Sequence, residues 1–206
     1  MRDRGLMHTR ETIGAGVDSS LVLEVGPGPG YLGLEWLKAT DGTRLHGLEI
    51  SPAMIAVAQR NAQEYGITKR AEFMEGNALA MPFEDATFDG AFSNGSPHEW
   101  AEPERVFDEI ARGLKPGGAY CLGDLRCDIN PVIAWFMKLM TSRELKAGFA
   151  SSLKAAYTVV KLQEMLPKTA LADATVSADA FGLSMTRRKP GCASGGEAVG
   201  GAGEDA

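Results

Sequence analysis

The segment that most constrains this chain is residues 21–30, which read Leu-Val-Leu-Glu-Val-Gly-Pro-Gly-Pro-Gly. Its first half predicts a short strand, and its second half places a glycine at every second position. Glycine accepts positive φ angles and has no Cβ, so this loop can turn sharply and lie directly against a ligand. A helix-forming run follows at once, in residues 31–38. A strand, a glycine loop and a helix N-terminus in this order predict a nucleotide-binding site.

The glycine spacing leaves more than one nucleotide open. Gly28, Gly30 and Gly33 also match the dinucleotide fingerprint G-x-G-x-x-G. An acidic residue, Glu49, follows about twenty residues later, as that fingerprint requires. The loop alone therefore does not distinguish NAD from other adenosine cofactors.

Composition limits the classes of protein that remain. The chain has 206 residues, 44% hydrophobic and 23% charged, which is typical of one soluble domain. The net charge of −6 without a basic block argues against nucleic-acid partners, and no apolar run is long enough to span a membrane. The cysteines Cys121, Cys127 and Cys192 lack metal-ligand spacing, so we expect no metal site, reduced thiols and a cytoplasmic protein. Cys121 falls in a predicted strand and is expected in the core.

Strand and helix patterns alternate along the chain. Predicted strands cover residues 21–25, 44–50, 71–75, 88–93, 118–123, 174–177 and 182–187. Predicted helices cover residues 31–39, 52–65, 103–113, 131–140, 143–150 and 159–166. This alternation predicts an α/β fold: a doubly wound, mostly parallel seven-stranded sheet in a three-layer α/β/α sandwich. The last two strands have no helix between them, which predicts a hairpin and an antiparallel C-terminal strand.

The domain organisation follows from the same patterns. We expect one domain over residues 1–190, with a short N-terminal segment (1–20) that receives no predicted element. Residues 125–157 are a candidate substrate lid. Residues 191–206 are rich in glycine and alanine and predict a disordered tail.

Four further segments, in chain order, carry a resemblance to a known family. Residues 46–54 end a strand with an acid, and residues 75–83 resemble G-D-A-x-x-L-P-F. Residues 88–100 resemble F-D-x-V-x-S-x-x-x-L-H-H-W, and residues 114–118 read L-K-P-G-G. With the glycine loop, these segments resemble the class I (Rossmann-like) S-adenosylmethionine-dependent methyltransferases of the ubiquinone/menaquinone-biosynthesis type (methyltransferase type 11). Three departures are Asn77, where Asp is commoner, Pro97, which replaces an apolar residue, and Glu99, where the family has a second His.

The resemblance implies S-adenosylmethionine as cofactor and a role for each matching residue. Glu49 would accept the ribose hydroxyls, and the side chain of Asn77 and the backbone amide of Ala78 would contact adenine. Ile50 and Met54 could pack on the adenine faces, although core packing is an equally good interpretation. The implied cofactor-binding set is Glu24, Gly26, Gly28, Gly30, Tyr31, Glu49, Ile50, Met54, Asn77, Ala78, Ser93 and Asn94.

Three residues are candidates for chemistry on the acceptor side. His98 can titrate near neutral pH, although a helix-capping or structural role is about as good an interpretation. Asp124 opens a charged stretch with Arg126 and Asp128, for which a local ion pair is the alternative. Tyr157 is a candidate pocket hydroxyl. Open α/β sheets place ligands beyond the carboxyl ends of their strands, where these residues are predicted to lie.

The sequence therefore predicts an enzyme that transfers a methyl group from S-adenosylmethionine to a small-molecule acceptor by in-line displacement. Two alternatives remain open: a non-catalytic S-adenosylmethionine-binding module, motivated by the short N-terminal segment, and an NAD-dependent oxidoreductase. We expect no nucleic-acid or membrane partner. The acceptor and the oligomeric state, including a dimer, are left open.

Overall fold

A computed structural model describes residues 2–18, 20–140 and 146–187. Its sheet contains β1 (Leu21–Val25), β2 (Arg44–Glu49), β3 (Ala71–Glu75), β4 (Phe88–Asn94), β5 (Leu114–Leu125), β6 (Thr175–Ala178) and β7 (Gly182–Arg187). The order across the sheet is β3-β2-β1-β4-β5-β7-β6. Neighbours among β1–β5 pair in parallel, whereas β7 is antiparallel to both β5 and β6. The predicted doubly wound sheet with an antiparallel C-terminal strand is confirmed.

The helices flank this sheet. They are α1 (Arg2–Gly14), α2 (Tyr31–Ala39), α3 (Pro52–Tyr65), α4 (Pro103–Gly113), α5 (Pro131–Met140), α6 (Lys146–Ala155) and α7 (Val159–Met165), with short 3₁₀ helices at Pro97–Glu99 and Leu166–Lys168. The helix α1 was not predicted, because its mostly polar sequence has no clear apolar stripe. It packs against α2. The predicted tail, residues 191–206, lies outside the described residues.

The core lies on both faces of the sheet because side chains alternate along each strand. Leu23 and Leu122 belong to the cluster that packs against α4 and α7. Val22 and Cys121 belong to the cluster that packs against α2 and α3. Cys121 is buried, as predicted. The predicted apolar face of α4 is buried too, through Val106, Phe107 and Ile110.

Local signals explain the ends of α3. The hydroxyl of Ser51 accepts the backbone N–H of Met54, Pro52 occupies the first turn, and Gly66 ends the helix with a φ of 70°. By contrast, the strand β5 begins earlier than predicted. Residue Leu114 already pairs with Phe88, and the register shifts before the regular pairing of Gly90 with Ala119. Residues 114–117, which precede the predicted strand, therefore form an irregular first part of β5.

The order of the strands determines where a ligand can bind. From β1 the chain adds β2 and β3 on one side, and then crosses to place β4 on the other side. A crevice opens beyond the carboxyl ends of the strands where the winding direction reverses. The glycine loop follows β1 directly, and residues 95–100 follow β4, so the two segments meet at this crevice.

Candidate functional site

The loop after β1 has a backbone that glycine makes accessible. Gly26, Gly28 and Gly30 have φ angles of 67°, 52° and 77°, all in the left-handed region. The backbone N–H of Gly26 donates to the carbonyl of Leu48 at 2.9 Å, which ties the loop to β2. A Cβ built on Gly28 would meet nothing within 4 Å. Gly28 thus faces open space, which a loop that binds a ligand requires.

The carboxylate of Glu49 lies directly beside this loop, at the end of β2. Its Oε2 accepts the backbone N–H of Gly28 at 2.9 Å, and its Oε1 accepts that of Ser51 at 3.0 Å. The residue is 8% exposed. Each carboxylate oxygen has two lone pairs, so both oxygens retain the capacity to accept a hydroxyl. The same side chain therefore organises the loop and presents acceptors to the crevice.

Two apolar side chains next to Glu49 are exposed. Ile50 is 68% exposed and Met54 is 41% exposed. The core-packing interpretation of these two residues is therefore wrong. Solvated apolar side chains beside a buried carboxylate form a surface on which a flat apolar ring can lie. Asn77, at the end of β3, is exposed, and its Oδ1 accepts the backbone N–H of Leu79 at 2.9 Å. Ala78 is half-buried and packs against the apolar core.

Glu24 lies beneath the helix α2 and not in the crevice. It is 2% exposed, and its Oε2 has no hydrogen-bond partner among the described residues. Burial raises the pKa of Glu24 to about 8, the backbone amide of Gly33 acts against this shift, and the charge of Glu49 adds to it. A Cβ on Gly33 would collide with this carboxyl group and with Leu45. Glu24 is thus part of the contact between α2 and the sheet.

Side chains at the end of β4 and just beyond it connect this strand to the glycine loop. The hydroxyl of Ser93 is buried and donates to the carbonyl of Val25 at 2.6 Å. The hydroxyl of Ser96 donates to the carbonyl of Gly26 at 2.9 Å. Asn94 is half-buried, and its side chain lies over Gly123 of β5. Tyr31, the first residue of α2, is half-buried as well.

The structure pairs two of the three acceptor-side candidates. The Nδ1 of His98 lies 2.7 Å from Oδ1 of Asp124, and the backbone N–H of His98 donates to Oδ2 at 2.7 Å. The Oδ1 atom also accepts the backbone N–H of Leu125 at 2.7 Å. Exposure of the two side chains is 5% and 0%. The carboxylate thus takes part in three hydrogen bonds, and it fixes both the backbone and the ring of His98.

The second ring nitrogen of His98 is the unpaired atom of this arrangement. Its Nε2 is buried without a hydrogen-bond partner among the described residues, and Oε1 of Glu99 is 3.9 Å away. The hydrogen bond to Asp124 raises the pKa of His98, and burial opposes this rise. The capping alternative is wrong: His98 lies in the 3₁₀ helix, whereas the N-cap of α4 is Glu102.

Tyr157, the third candidate, lies beside the same strand end. It forms a parallel bridge with Arg126, and its carbonyl accepts the backbone N–H of Cys127 at 3.3 Å. Burial, with the charge of Asp124 in second place, raises the pKa of Tyr157, so its hydroxyl keeps its proton. Arg126 and Asp128 form the expected local ion pair at 2.7 Å, and Asp124 takes no part in it.

Sequence reasoning named His98 and Asp124 but did not pair them. The available signal was that both follow neighbouring parallel strands, whose register sets Asn94 opposite Gly123. Sequence reasoning also missed two side chains that support the glycine loop. One is Ser96, and the other is Asn61 of α3, whose amide donates to the carbonyl of Pro29 at 2.8 Å. Hydrogen bonds to backbone carbonyls leave no sequence pattern.

The described residues define what the site contains. Among them, no group of three His, Cys, Asp or Glu residues is arranged to hold a metal ion. None of the described helices has the length and apolar character needed to cross a membrane. The donor and acceptor set instead fits an adenosine cofactor: an open glycine loop, a strand-end carboxylate with spare lone pairs, and exposed apolar side chains beside it.

Comparisons with known proteins agree with this geometry. Residues 22–118 match the family model described as "Methyltransferase domain". The chain is 34% identical over 97 residues to demethylmenaquinone methyltransferase of Thermus thermophilus, covering 47% of this chain and 43% of that protein. It is 32% identical over 104 residues to erythromycin 3''-O-methyltransferase of Saccharopolyspora erythraea, covering 50% and 34%. The matched region thus spans less than half the length of these two relatives.

Solved structures show the same fold. A putative S-adenosylmethionine-dependent methyltransferase from Methanococcus maripaludis superposes with a TM-score of 0.69 at 23% identity, covering 84% of this chain and 79% of that one. An S-adenosylmethionine-dependent methyltransferase from Aquifex aeolicus gives a TM-score of 0.65 at 16% identity, covering 90% and 87%. The fold predicted from the sequence is therefore confirmed, and residues 22–118 match a methyltransferase domain.

Proposed function

We propose that this chain transfers a methyl group from S-adenosylmethionine to a small-molecule acceptor at the carboxyl ends of β1, β4 and β5, because residues 22–118 match a methyltransferase domain and the fold is that of solved S-adenosylmethionine-dependent methyltransferases. The observation that carries this proposal is the position of the His98–Asp124 pair relative to the glycine loop. The hydroxyl of Ser96 donates a hydrogen bond to the glycine loop, and His98 lies two residues after Ser96 in the chain. A cofactor site and a candidate proton acceptor therefore share one crevice.

The cofactor contacts that we propose follow the local geometry. Glu49 holds the ribose, Ile50 and Met54 flank the adenine, and Asn77 with Ala78 reads its edge. The backbone of Gly26, Gly28 and Gly30 lies against the methionine part, which begins near Tyr31 and Asn94. Glu24 and Ser93 are buried, so we assign them the support of the loop and not direct contact.

The bound cofactor supplies a methyl group that its sulfonium has already activated. What this chain must do is hold an acceptor in line with the methyl–sulfur bond and keep water out, because positioning makes the largest contribution to such a transfer. The candidate lid, residues 125–157, contains α5 and α6, and α6 contacts the 3₁₀ helix that carries His98. We propose that this segment encloses the acceptor.

The alternatives predict different results. A non-catalytic module would bind the cofactor without turnover, and an oxidoreductase would bind NAD. The two relatives compared above are methyltransferases, which favours the enzyme. Nucleic acid remains an unsuitable partner for a chain with a net charge of −6.

The test is calorimetric binding of S-adenosylhomocysteine to the parent protein and to Glu49→Gln. The substitution removes a charged acceptor worth about 1.5–3 kcal/mol, so affinity should fall roughly 10- to 100-fold. The matched control is Glu64→Gln, an exposed carboxylate on α3. Thermal unfolding of each variant reports whether the loop has been damaged, since an amide side chain in place of Glu49 would keep only one of the two backbone contacts. Equal affinity in parent and variant, or tight binding of NAD instead, would reject the assignment.

A further inference from the structure

The exposed apolar side chains of this protein gather at one edge of the sheet. Among the described residues, the large hydrophobic side chains that are exposed are Ile50, Met54, Val132, Trp135, Leu139, Val160 and Phe181. The first two follow β2, and the next three lie in α5, which follows β5. Val160 comes shortly after Tyr157, which bridges to Arg126 just beyond β5. Phe181 precedes Gly182, which pairs with Leu125 at the end of β5. All seven side chains therefore lie at the carboxyl ends of the parallel strands, around the crevice.

The helix α5 carries three of these side chains as one stripe on its outer face. Val132 is 71% exposed, Trp135 is 64% exposed and Leu139 is 56% exposed. Residues three and four positions apart lie on the same face of a helix, so the three side chains are neighbours. Met137, on the opposite face of α5, is buried. The apolar stripe therefore points away from the part of the protein on which α5 packs.

We propose that the apolar stripe of α5, together with Val160 and Phe181, docks this protein on the surface of an anionic lipid bilayer, with the mouth of the crevice towards the lipid. A helix with Trp and Leu on one face lies in the plane of the interface, and its apolar side chains reach about 5–10 Å into it. Trp is the side chain that prefers the boundary between headgroups and acyl chains. A helix in this position does not cross the bilayer, so it needs no long apolar run. This inference replaces the expectation that the protein has no membrane partner.

The charge of the same segment favours anionic lipid. The candidate lid, residues 125–157, contains five Lys or Arg residues and two Asp or Glu residues, a net charge of +3 in a chain whose total is −6. Lys138 of α5, Lys154 of α6 and Lys161 of α7 are exposed. Glu99, which is exposed at the same edge, acts against these cations but does not outnumber them. Cationic side chains next to an apolar face are attracted to the negative surface of a bilayer.

The size of the stripe disfavours a second copy of the chain as the partner. Even if each of its three side chains had the area of a large aromatic residue, about 250 Å², their exposed fractions would amount to less than about 500 Å². A stable protein interface buries about 800 Å² on each partner. A two-fold dimer through this stripe would also bring two positively charged lids together. Binding to a bilayer grows with the apolar area and with the charge attraction, so a small cationic stripe is sufficient.

The experiment measures co-sedimentation of the protein with vesicles of phosphatidylcholine, with or without added phosphatidylglycerol. We expect the parent to bind the anionic vesicles and to bind them less as salt is added. Replacing Trp135 and Leu139 together by Gln should weaken this binding roughly tenfold or more. Lys138→Gln should weaken it about fivefold. The control Lys168→Gln removes an exposed lysine beyond the far end of α7 and should bind like the parent. All of these side chains are exposed, so thermal midpoints should stay at the parental value.

A second measurement identifies the side chain that enters the lipid. Lipids brominated in their acyl chains quench tryptophan fluorescence at short range. Trp36 is 0% exposed and Trp100 is half-buried, so the quenching should come from Trp135. Trp135→Phe keeps an aromatic ring on the stripe, and it should therefore still bind the vesicles but lose the quenching.

The outcomes are distinct. No binding to either kind of vesicle, equal binding to both, or parental binding by the double Gln variant would overturn the inference, as would quenching that persists in Trp135→Phe. Self-association in the absence of lipid that the double Gln variant abolishes, without vesicle binding by the parent, would overturn it in favour of a second copy. The inference does not depend on methyl transfer: if the parent binds vesicles but not S-adenosylhomocysteine, the proposed function fails and the docking surface stands.

Discussion

The buried carboxyl group of Glu24 makes the stability of the protein depend on pH. The residue is 2% exposed beneath α2, and burial holds its pKa at about 8 against a normal value of 4.5. Between these two values the folded protein keeps the proton that the unfolded chain loses. Stability from this group is therefore fully present below about 4.5 and is lost as pH rises through about 8.

The size of the effect follows from the shift. Each pH unit between the two pKa values changes the free energy of unfolding by about 1.4 kcal/mol. From pH 5 to pH 7.5 the Glu24 carboxyl should therefore remove about 3 kcal/mol of stability from the parent protein. Glu24→Gln has no proton to lose, so its stability should not follow this slope.

The assay is urea unfolding of parent and Glu24→Gln at a series of pH values from 5 to 8. A buried amide can itself lower stability through an unpaired N–H, so the informative quantity is the change of the difference with pH. That difference should move by about 3 kcal/mol in favour of Glu24→Gln as pH rises to 7.5. The control Glu64→Gln removes an exposed carboxylate and should run parallel to the parent. Parallel curves for Glu24→Gln would refute the raised pKa.

Three further substitutions test the glycine loop and the contacts of Arg112. Gly26→Ala and Gly28→Ala each place alanine at a positive φ, at a cost of about 1–2 kcal/mol. The Cβ of alanine at position 26 would also collide with Ser96, so the thermal midpoint of Gly26→Ala should fall further than that of Gly28→Ala. Equal midpoints would contradict the close approach of Ser96 to the loop. Arg112 bonds the carbonyls of Met81 and Phe83 as well as Glu109. Urea unfolding of Arg112→Lys should therefore show a loss of about 1–3 kcal/mol, against little change in Arg105→Lys, and equal effects would reject this role.

The positions of the residues proposed to bind the cofactor could be predicted because their signals are local. The conformation of the glycine loop depends on φ angles that glycine alone adopts readily, and Ser51 and Gly66 mark the ends of α3 within the sequence itself. The position of Glu49 at a strand end follows from the hydrophobic pattern of β2. The solvent exposure of Ile50 and Met54 was harder to predict, because a short apolar stretch does not show whether its side chains face solvent or the core.

The N-terminal helix and the start of β5 show what pattern alone cannot supply. The sequence of α1 is too polar to reveal a buried stripe, and its stability comes from packing against α2. Residues 115–118 look like a turn, yet Leu114 finds its partner in Phe88, many residues earlier in the chain. Both the helix α1 and the start of β5 therefore depend on contacts between residues that are far apart in the sequence.

The acceptor side depends entirely on such distant contacts. His98 and Asp124 are 26 residues apart, and each has a plain local interpretation: a histidine ahead of a helix, and an acid in a charged stretch. Only the parallel pairing of β4 with β5 puts their side chains within hydrogen-bond distance. Reading the strand order first and then comparing the residues at adjacent carboxyl ends would have shown the pair. For a doubly wound sheet, candidate catalytic residues are therefore better sought across neighbouring strands than along the chain.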